Sequence, residues 1–353
     1  MRFFRIIERY ILKLDFDSIK DHLLESFSSE SELIKSIEKL SINFTQNRSS
    51  IGEYLNDKKM VSAYTCFYML TNIPKLNAAL SKINLNLSDY SDFEFFDIGA
   101  GPGTFSLSML SQNSLININL IEKSHMMIMQ GEKLLKAYFP DSKAKYISTI
   151  PKKEKKRFGI FGHSANEMGQ EITKKYINDL DLDFILFIEP GTKQSFGVLK
   201  ELRKNLISEK YHIQYPCFGQ SQCPLAEEDW CHQYLDVRHD NSTERLTQLA
   251  RKDRRNLPVT IHFYTKEKSP RLSPTSARII RVLPITKFSL DWEICYMENN
   301  GLKTLTLQVL TRGMKKSEIK FYRKLSAGDM IHFQVEKKLT DIMVRGTVCH
   351  TQN

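Results

Sequence analysis

Apolar residues recur three or four positions apart through the first quarter of the chain. The clearest stretches are "SELIKSIEKLSI" (residues 31–42) and "MVSAYTCFYMLTNIPKLNAALSKI" (residues 60–83). This spacing places the apolar side chains on one face of an α-helix. We therefore predict a helical N-terminal region over residues 1–90. Its opening segment, "MRFFRIIERYILKLDFD", is interpreted as a helix, because Glu8 and Arg9 interrupt the apolar run that a signal peptide needs.

From Phe93 onward, short apolar runs bounded by turn residues alternate with longer helical patterns. The runs are "FEFFDIG", "NINLIEK", "FGIFGHS" and "DFILFIEPG", followed by a helix "QSFGVLKELRKNLIS" and a strand "HIQYP". Such alternation is typical of βαβ units in a parallel, doubly wound sheet. The pattern predicts a Rossmann-like domain over residues 91–216.

The remainder of the chain is expected to be rich in strands. A cysteine-containing loop and a basic segment occupy residues 217–256. Beyond them the probable strands lie in "VTIHFYT", "ARIIRVLP", "WEICYMENNGLKTLTLQVL" and "DMIHFQVEKKLTDIMVRGTVCH". Period-two patterns of this kind favour a β-rich C-terminal region, which we place at residues 257–353.

A glycine-rich turn follows the first predicted strand. In "FFDIGAGPGTFSL", Asp97 ends the strand, and Gly99, Gly101 and Gly103 allow a ligand to approach the backbone closely. The spacing is G-x-G-x-G, whereas a dinucleotide fingerprint needs G-x-G-x-x-G. This favours S-adenosylmethionine, with Glu122 at the end of the second strand accepting both ribose hydroxyls. The fold class is therefore α/β, a Rossmann-like class I methyltransferase fold. The alternative is a tight turn without a ligand.

Catalytic residues are unknown from the sequence. Asn166 and Glu167, in "HSANEMGQ" after the fourth strand, either line the methyl-acceptor side or cap the following helix, and we favour the cap. No residue here is a convincing general base.

The charge and the cysteine content of the chain indicate which binding partners and which cellular compartment to expect. The chain carries 51 basic and 41 acidic residues, a formal charge of +10. The runs "PKKEKKR" (residues 151–157) and "ARKDRRNL" (residues 250–257) are either solvated faces or surfaces that contact phosphates. Six cysteines without a secretory signal indicate a reducing compartment, where clustered thiols bind metal or do chemistry more often than they form disulfides.

Three of these cysteines are clustered in "YPCFGQSQCPLAEEDWCHQY". Cys217, Cys223 and Cys231 are spaced too widely for a zinc finger, so we predict a loop wrapped around a zinc ion or an iron–sulfur cluster. Either group needs a fourth ligand. The candidates are His232, Cys295 and Cys349, with His350 behind it. We favour Cys295, since a strand end can reach the loop. Three unligated cysteines in a loop are the alternative.

Seven pieces of the chain together resemble a known family. They are "DIGAGPGT", "NEM", "IEPGTKQSFGVLKELRKNL", "PCFGQSQCPLAEEDWCH", "ARIIRVLP", "EICYMENNG" and "YRKLSAGD", in this order from Asp97 to Asp329. The chain resembles the methyltransferase-like assembly proteins of the small ribosomal subunit. The resemblance implies that S-adenosylmethionine binds and that Cys217, Cys223, Cys231 and Cys295 hold a [4Fe-4S] cluster. It also implies binding to small-subunit ribosomal RNA in the assembling small ribosomal subunit.

Three hypotheses follow for the function. The first is a ribosome-assembly factor that acts as a monomer, with no membrane partner, in the bacterial cytoplasm or alternatively in mitochondria. The second is an active rRNA methyltransferase in which zinc or iron is only a structural staple. The third is a redox sensor in which oxidation of the cluster releases RNA.

Overall fold

The computed structural model describes residues 14–45, 56–268, 276–284, 286–299 and 301–349. Residues 1–13 of the opening segment that we interpreted as a helix lie outside this range, as does the candidate ligand His350. Contacts divide the chain into two units that do not follow the four ranges drawn from the sequence. Unit one comprises Met1–Ser164, Lys175–Leu182 and Leu235–Leu257, and unit two comprises Ala165–Lys174, Asp183–Tyr234 and Pro258–Asn353.

The N-terminal part of unit one is helical, as predicted. In the helix Glu30–Thr45, Leu33, Ile37 and Leu40 are buried at helical spacing on one face. Asp57 begins the next helix by accepting hydrogen bonds from the backbone N–H groups of Lys59 and Met60. The helical segments here are Phe16–Ile19, Lys20–His22 (3₁₀), Glu30–Thr45, Lys58–Tyr64, Thr65–Met69 (π), Leu70–Lys82 and Leu87–Tyr90 (3₁₀).

Four parallel strands of unit one follow in the order β3-β2-β1-β4. They are β1 (Glu94–Ile98), β2 (Asn117–Ile121), β3 (Lys145–Tyr146) and β4 (Arg157–Gly162). Asp97 pairs with Leu120 on one side and with Ile160 on the other, so the ends of β1, β2 and β4 lie at one edge. The helices that follow are Thr104–Gln112 and His125–Tyr138, with Asn241–Leu249 later in the chain and Ala165–Asp179 divided between the units.

In unit two, one strand of the sheet lies between two strands that run antiparallel to it. The strands are β5 (Phe184–Pro190), β6 (His212–Tyr215) and β8 (Asn256–Thr265, in this unit from Pro258), and the helix is Lys193–Ser208, while β7 (Gln233–Asp236) is divided between the units. β8 pairs antiparallel with both β5 and β6. From the sequence we placed this strand in the C-terminal region, but a buried run that alternates weakly does not reveal its partner. An antiparallel strand at this place distinguishes the methyltransferase type of sheet from the all-parallel dinucleotide fold.

The C-terminal region forms a closed five-stranded barrel, which confirms the β-rich prediction. Its strands are β9 (Ser276–Val282), β10 (Ser289–Glu298), β11 (Gly301–Leu310), β12 (Met330–Lys338) and β13 (Met343–Cys349), with the helix Lys316–Tyr322 between β11 and β12. The order is β9-β10-β11-β13-β12, and β12 closes onto β9. Only β11 and β13 pair in parallel among these strands. This is the topology of an oligonucleotide/oligosaccharide-binding (OB) fold.

Among the described residues, no helix has the length and apolar character needed to cross a membrane.

Candidate functional sites

The predicted glycine turn is present after β1. Gly99, Gly101 and Gly103 have φ angles of +72°, +55° and +85°, which L-residues with a side chain rarely adopt. The backbone N–H of Gly99 donates to the Ile121 carbonyl at 2.8 Å. The helix Thr104–Gln112 begins directly after Gly103. The first N–H groups of this helix have no acceptor within the helix, so they can donate to a ligand. The space around Gly101 is open, which leaves room for that ligand.

Glu122 lies against this turn, as the sequence predicted. Its Oε2 accepts a hydrogen bond of 2.9 Å from the Gly101 N–H, and its Oε1 accepts bonds of 2.8 Å from the N–H groups of Lys123 and Ser124. A carboxylate offers about four acceptor positions, so these bonds leave room for a further donor such as a ribose hydroxyl. The residue therefore orients the turn, and its role toward the ribose stays a prediction.

Asp97 supports the turn from beneath. Its side chain is 2% exposed, and its Oδ2 accepts bonds from the N–H and hydroxyl of Ser106 at 3.0 and 2.8 Å. Burial raises the pKa of the Asp97 carboxyl to about 6, against the opposing effect of the Ser106 hydrogen bonds. The prediction of Asp97 as a cofactor-binding residue is not tested by these contacts, which show that it braces the helix Thr104–Gln112.

Tyr146 of β3 belongs to the same site and was missed from the sequence. Its hydroxyl donates to the Gly101 carbonyl at 2.8 Å. A Cβ on Gly131 would lie 1.9 Å from this hydroxyl, so only glycine fits there. A glycine in the middle of a predicted helix was the available signal, because such a residue often marks a close approach.

A second group of residues at this edge of unit one consists of basic side chains. Nζ of Lys75 lies 3.1 Å from Nε2 of His163, and Lys75 is only 2% exposed. Burial lowers the pKa of both groups well below their usual values, with Arg254 adding to the effect. His163 also has a φ of +60°, a strained value for a residue with a side chain. The environment therefore favours the uncharged form of both groups.

Asn166 and Glu167 do not cap the helix Ala165–Asp179 but lie in its first turn. The acceptor for its N-terminus is instead Glu189 of β5, which is fully buried. It accepts bonds from the N–H groups of Ala165 at 2.8 Å and Asn166 at 3.4 Å. Oδ1 of Asn166 is buried without a hydrogen-bond partner in the described structure. No local pattern indicates the role of Glu189, because this role depends on a contact between two segments that are distant in the chain.

In unit two, four cysteines line one cavity. These are Cys217, Cys223 and Cys231 of the loop after β6 and Cys295 of β10. His232, the rival candidate for a fourth ligand, does not line it and instead stacks near Trp230, with ring centroids 6.0 Å apart. Cys349 is described only by its backbone, in β13.

Buried cations hold the cysteine loop in place. Arg203 donates to the carbonyls of Gly219 at 2.9 Å and Ser221 at 2.7 Å. Arg278 donates to the Pro216 carbonyl at 2.8 Å and stacks over the Tyr215 ring at 4.4 Å. Both arginines line the cavity and are at most 6% exposed. The sequence did not reveal them, because they lie in an ordinary helix and an ordinary strand.

The thiols influence one another electrostatically. Burial raises the pKa of the Cys231 thiol to about 12 and also raises the pKa values of Cys223 and Cys295, with neighbouring cysteines adding to the effect. His262, at the same cavity, is held neutral because burial lowers its pKa to about 3, with Arg203 contributing. Only deprotonated thiols bind metal, so a ligand here must displace their protons.

The cavity fits a group that binds thiolates. Within the described ranges, no three His, Cys, Asp or Glu side chains converge closely enough to hold one metal ion. A cubane cluster binds each thiolate through a different iron, so its ligands stand farther apart than those of a single ion. Its net negative charge suits the two buried guanidinium groups. Four thiols and two buried guanidinium groups at one cavity are thus compatible with a thiolate-bound cluster, while the choice between a cluster and a zinc ion stays a prediction.

The two basic runs of unit one are partly internal. Arg157 is 2% exposed and pairs with Glu94 at 3.0 Å. In the second run, Arg254 donates to the Asn72 side chain at 3.1 Å, and Arg255 pairs with Asp253 at 2.8 Å. Arg157 and Arg254 therefore make internal contacts, whereas Arg255 and the lysines Lys152, Lys155 and Lys156 of the first run are exposed, and the phosphate-contacting surface stays a prediction.

Comparison with solved structures finds proteins that share only the general fold. They include a putative RNA methyltransferase from Pyrococcus horikoshii (11% identity, 54% of this chain and 84% of that chain, TM-score 0.34). A magnesium protoporphyrin IX methyltransferase from Synechocystis with bound SAH is 10% identical over 66% and 100% of the chains (TM-score 0.36). A human methyltransferase 10 domain containing protein is 14% identical over 57% and 84% (TM-score 0.35). Likenesses this distant carry no argument about ligand or activity.

Comparison with protein families gives a more specific result. No curated protein matches the chain. A family model described as mitochondrial small ribosomal subunit Rsm22 matches residues 58–332, more than three quarters of the sequence. The match includes the glycine turn and all four cysteines of the cavity. The chain therefore belongs to the Rsm22 family.

Proposed function

We propose that this protein is a methyltransferase-like assembly factor of the small ribosomal subunit. It binds S-adenosylmethionine, a [4Fe-4S] cluster and ribosomal RNA, and it acts as a monomer. The observation that carries the proposal is the cavity of unit two, where cysteines from a loop and a distant strand meet in a member of a small-subunit family. The name of the family favours mitochondria over the bacterial cytoplasm as the site of action.

S-adenosylmethionine is assigned to the glycine turn of unit one. The positive φ angles of the glycines, the helix N-terminus after Gly103 and the carboxylate of Glu122 support this assignment. We expect S-adenosylhomocysteine to bind with 1:1 stoichiometry in isothermal titration calorimetry. Gly101→Arg should abolish binding, because a bulky cation would fill the open space beside the turn.

The cluster is assigned to Cys217, Cys223, Cys231 and Cys295, with zinc as the alternative. A bound cluster supplies four iron–thiolate bonds that fasten the loop to β10. Arg203 and Arg278 orient the loop carbonyls and balance the negative charge of the thiolates. The role is structural, since metal-binding energy contributes to folding in such sites.

Metal analysis of the anaerobically purified chain tests this assignment. We expect iron with matching acid-labile sulfide, lost in Cys217→Ser and in Cys295→Ser. Cys66→Ser is the matched control, because Cys66 is a buried thiol of unit one away from the cavity residues. Zinc without sulfide would show that the site holds a zinc ion and not a cluster. Metal-free protein, or equal iron in all variants, would refute a metal group at these cysteines.

Association with the ribosome is tested separately by sedimentation. The wild-type chain should co-sediment with immature small subunits and not with mature ones. A chain that remains at the top of the gradient with both would contradict an assembly role, whatever its metal content.

An active RNA methyltransferase is the second candidate function. The specific observation is the buried contact of Lys75 with His163, which follows β4 directly, where burial lowers the pKa of both groups. A neutral amine or imidazole at this edge can accept a proton from a methyl acceptor. Transfer of labelled methyl groups to immature small subunits, reduced in His163→Gln, would support this function. If no ribosomal RNA is labelled, the assembly factor remains as the proposed function and the methyltransferase is rejected.

A further inference from the structure

The helix Lys316–Tyr322 of the barrel and the turn after it carry a row of cations on one face. Lys316, Lys320, Arg323 and Lys324 are spaced by four, seven and eight positions and line one surface hollow together with Ile319. Within the described part of the chain, none of the four forms an ion pair, whereas Lys59, Arg157 and Arg255 do. Four unpaired cations at helical spacing form a strip of positive potential.

An exposed aromatic side chain lies at the same end of the barrel. Phe288, in the loop between β9 and β10, is 78% exposed. Thr311 fixes this loop to the end of β11, because its N–H donates to the Phe288 carbonyl and its hydroxyl to the Lys287 carbonyl, both at 2.9 Å. Lys287 precedes Phe288 in the chain, Arg312 follows Thr311, and both are exposed as well. A phenylalanine this exposed has no packing role in the barrel.

The two features adjoin along the chain. Lys316 lies four positions after Arg312, a distance of at most about 14 Å between Cα atoms. An aromatic ring that adjoins a cation in the chain, next to a strip of further cations, provides both elements that single-stranded nucleic acids need, namely a stacking surface and phosphate contacts. In the OB fold the loop between the first two strands is one of the loops that bind oligonucleotides.

We propose that this barrel surface, formed by Lys287, Phe288, Arg312 and the strip Lys316, Lys320, Arg323 and Lys324, binds single-stranded RNA. Phe288 stacks on an unpaired base, and the cations contact the phosphates on either side. The inference rests on the proposed function, which includes binding of ribosomal RNA. It adds the surface that binds the RNA and specifies that this RNA is single-stranded. A paired helix would not engage the ring, since its bases are already stacked on each other.

The test uses the full-length chain and a labelled single-stranded oligoribonucleotide from small-subunit RNA, with the matching duplex alongside. Fluorescence anisotropy gives the Kd of each at several salt concentrations. We expect Phe288→Ala to weaken single-strand binding at least about fivefold, whereas Phe288→Trp preserves it. Lys316→Gln/Lys320→Gln/Lys324→Gln should reduce the slope of log K against log salt by about 2, since each phosphate contact contributes about 0.7.

A charge-matched variant of unit one provides the control. Lys35→Gln/Lys39→Gln/Lys136→Gln removes three exposed lysines and should leave the salt slope within about 0.5 of the wild-type value. Binding of S-adenosylhomocysteine, measured in every variant, reports on the integrity of unit one, and the melting temperature reports on the barrel. An unchanged Kd in Phe288→Ala, an equal slope change in both triple variants, or equal dependence of duplex binding on Phe288 would overturn the inference. Failure of the wild-type chain to bind any small-subunit RNA would overturn the RNA-binding part of the proposed function itself.

Discussion

At the scale of single residues, Asp97 shows how burial changes the expected role of a motif residue. The sequence places a carboxylate beside a ligand, and the structure encloses it beneath the glycine turn with Ser106 as its partner. The pKa of this carboxyl is raised to about 6 because burial disfavours its charged form. Between its unfolded pKa near 3.9 and this value, the folded state binds more protons than the unfolded state.

Stability should therefore decrease as the pH rises through this window. A raised carboxyl pKa of this size corresponds to about 3 kcal/mol at pH 7. Asp97→Asn keeps an acceptor for Ser106 and removes the charge, so its advantage over the wild type should grow from pH 4 to pH 7. Urea unfolding without ligand measures the difference. A difference that is constant with pH would show that Asp97 does not titrate in this window.

Lys75 is the opposite case, a base whose pKa burial lowers. Because the folded-state pKa is the lower one, the unfolded state binds more protons than the folded state once the pH falls below the unfolded lysine pKa, so stability decreases as the pH falls through this window. We expect Lys75→Met to be more stable than the wild type at pH 6 to 7, with the gain disappearing above the unfolded lysine pKa. The exposed Lys35→Met serves as the control. Thermal unfolding at several pH values would show whether the gain depends on pH.

At the scale of elements, the barrel is held by a core that the strand patterns anticipate. Alternation in β10 and β11 places Trp292, Ile294 and Leu307 inside, and Trp292 is 1% exposed. We expect Trp292→Ala to destabilise the barrel by about 3 to 5 kcal/mol, because the lost contacts leave a large cavity. The exposed Phe288→Ala in the same barrel should change stability by less than about 0.5 kcal/mol. Chemical denaturation followed by near-ultraviolet circular dichroism compares them, and equal losses would contradict this assignment of inside and outside.

The elements themselves were well predicted where one local pattern was sufficient. The helices of residues 30–45 and 58–82 and the strands before and after the glycine turn follow the expected periodicities. The assignment of β8 differed, because a buried strand has the same apolar run whether it joins the sheet or the barrel. Closure of the last five strands into a barrel also depends on pairs distant in sequence, such as β9 with β12.

At the scale of the whole molecule, the proposed cluster would make folding depend on oxygen and chelators. Iron–thiolate bonds that join the loop of Cys217 to β10 would stabilise the folded state of unit two only. We expect the anaerobic protein to lose several degrees of melting temperature after oxidative loss of the cluster. Cys295→Ser should begin at the lower value and show no further loss. A melting temperature that is unaffected by oxidation in the wild type would argue against a structural cluster.

The sequence by itself determined the local features of this protein. Periodicity indicated the helical N-terminal region and the class of sheet, and the glycine spacing after Asp97 located the turn, because these depend on neighbours in the chain. Tertiary structure decided which groups meet. It placed Cys295 rather than His232 at the cavity, enclosed Arg203 and Arg278 beside it, and paired Lys75 with His163. Contacts between distant segments depend on packing and on the burial of charge, and no local pattern records them.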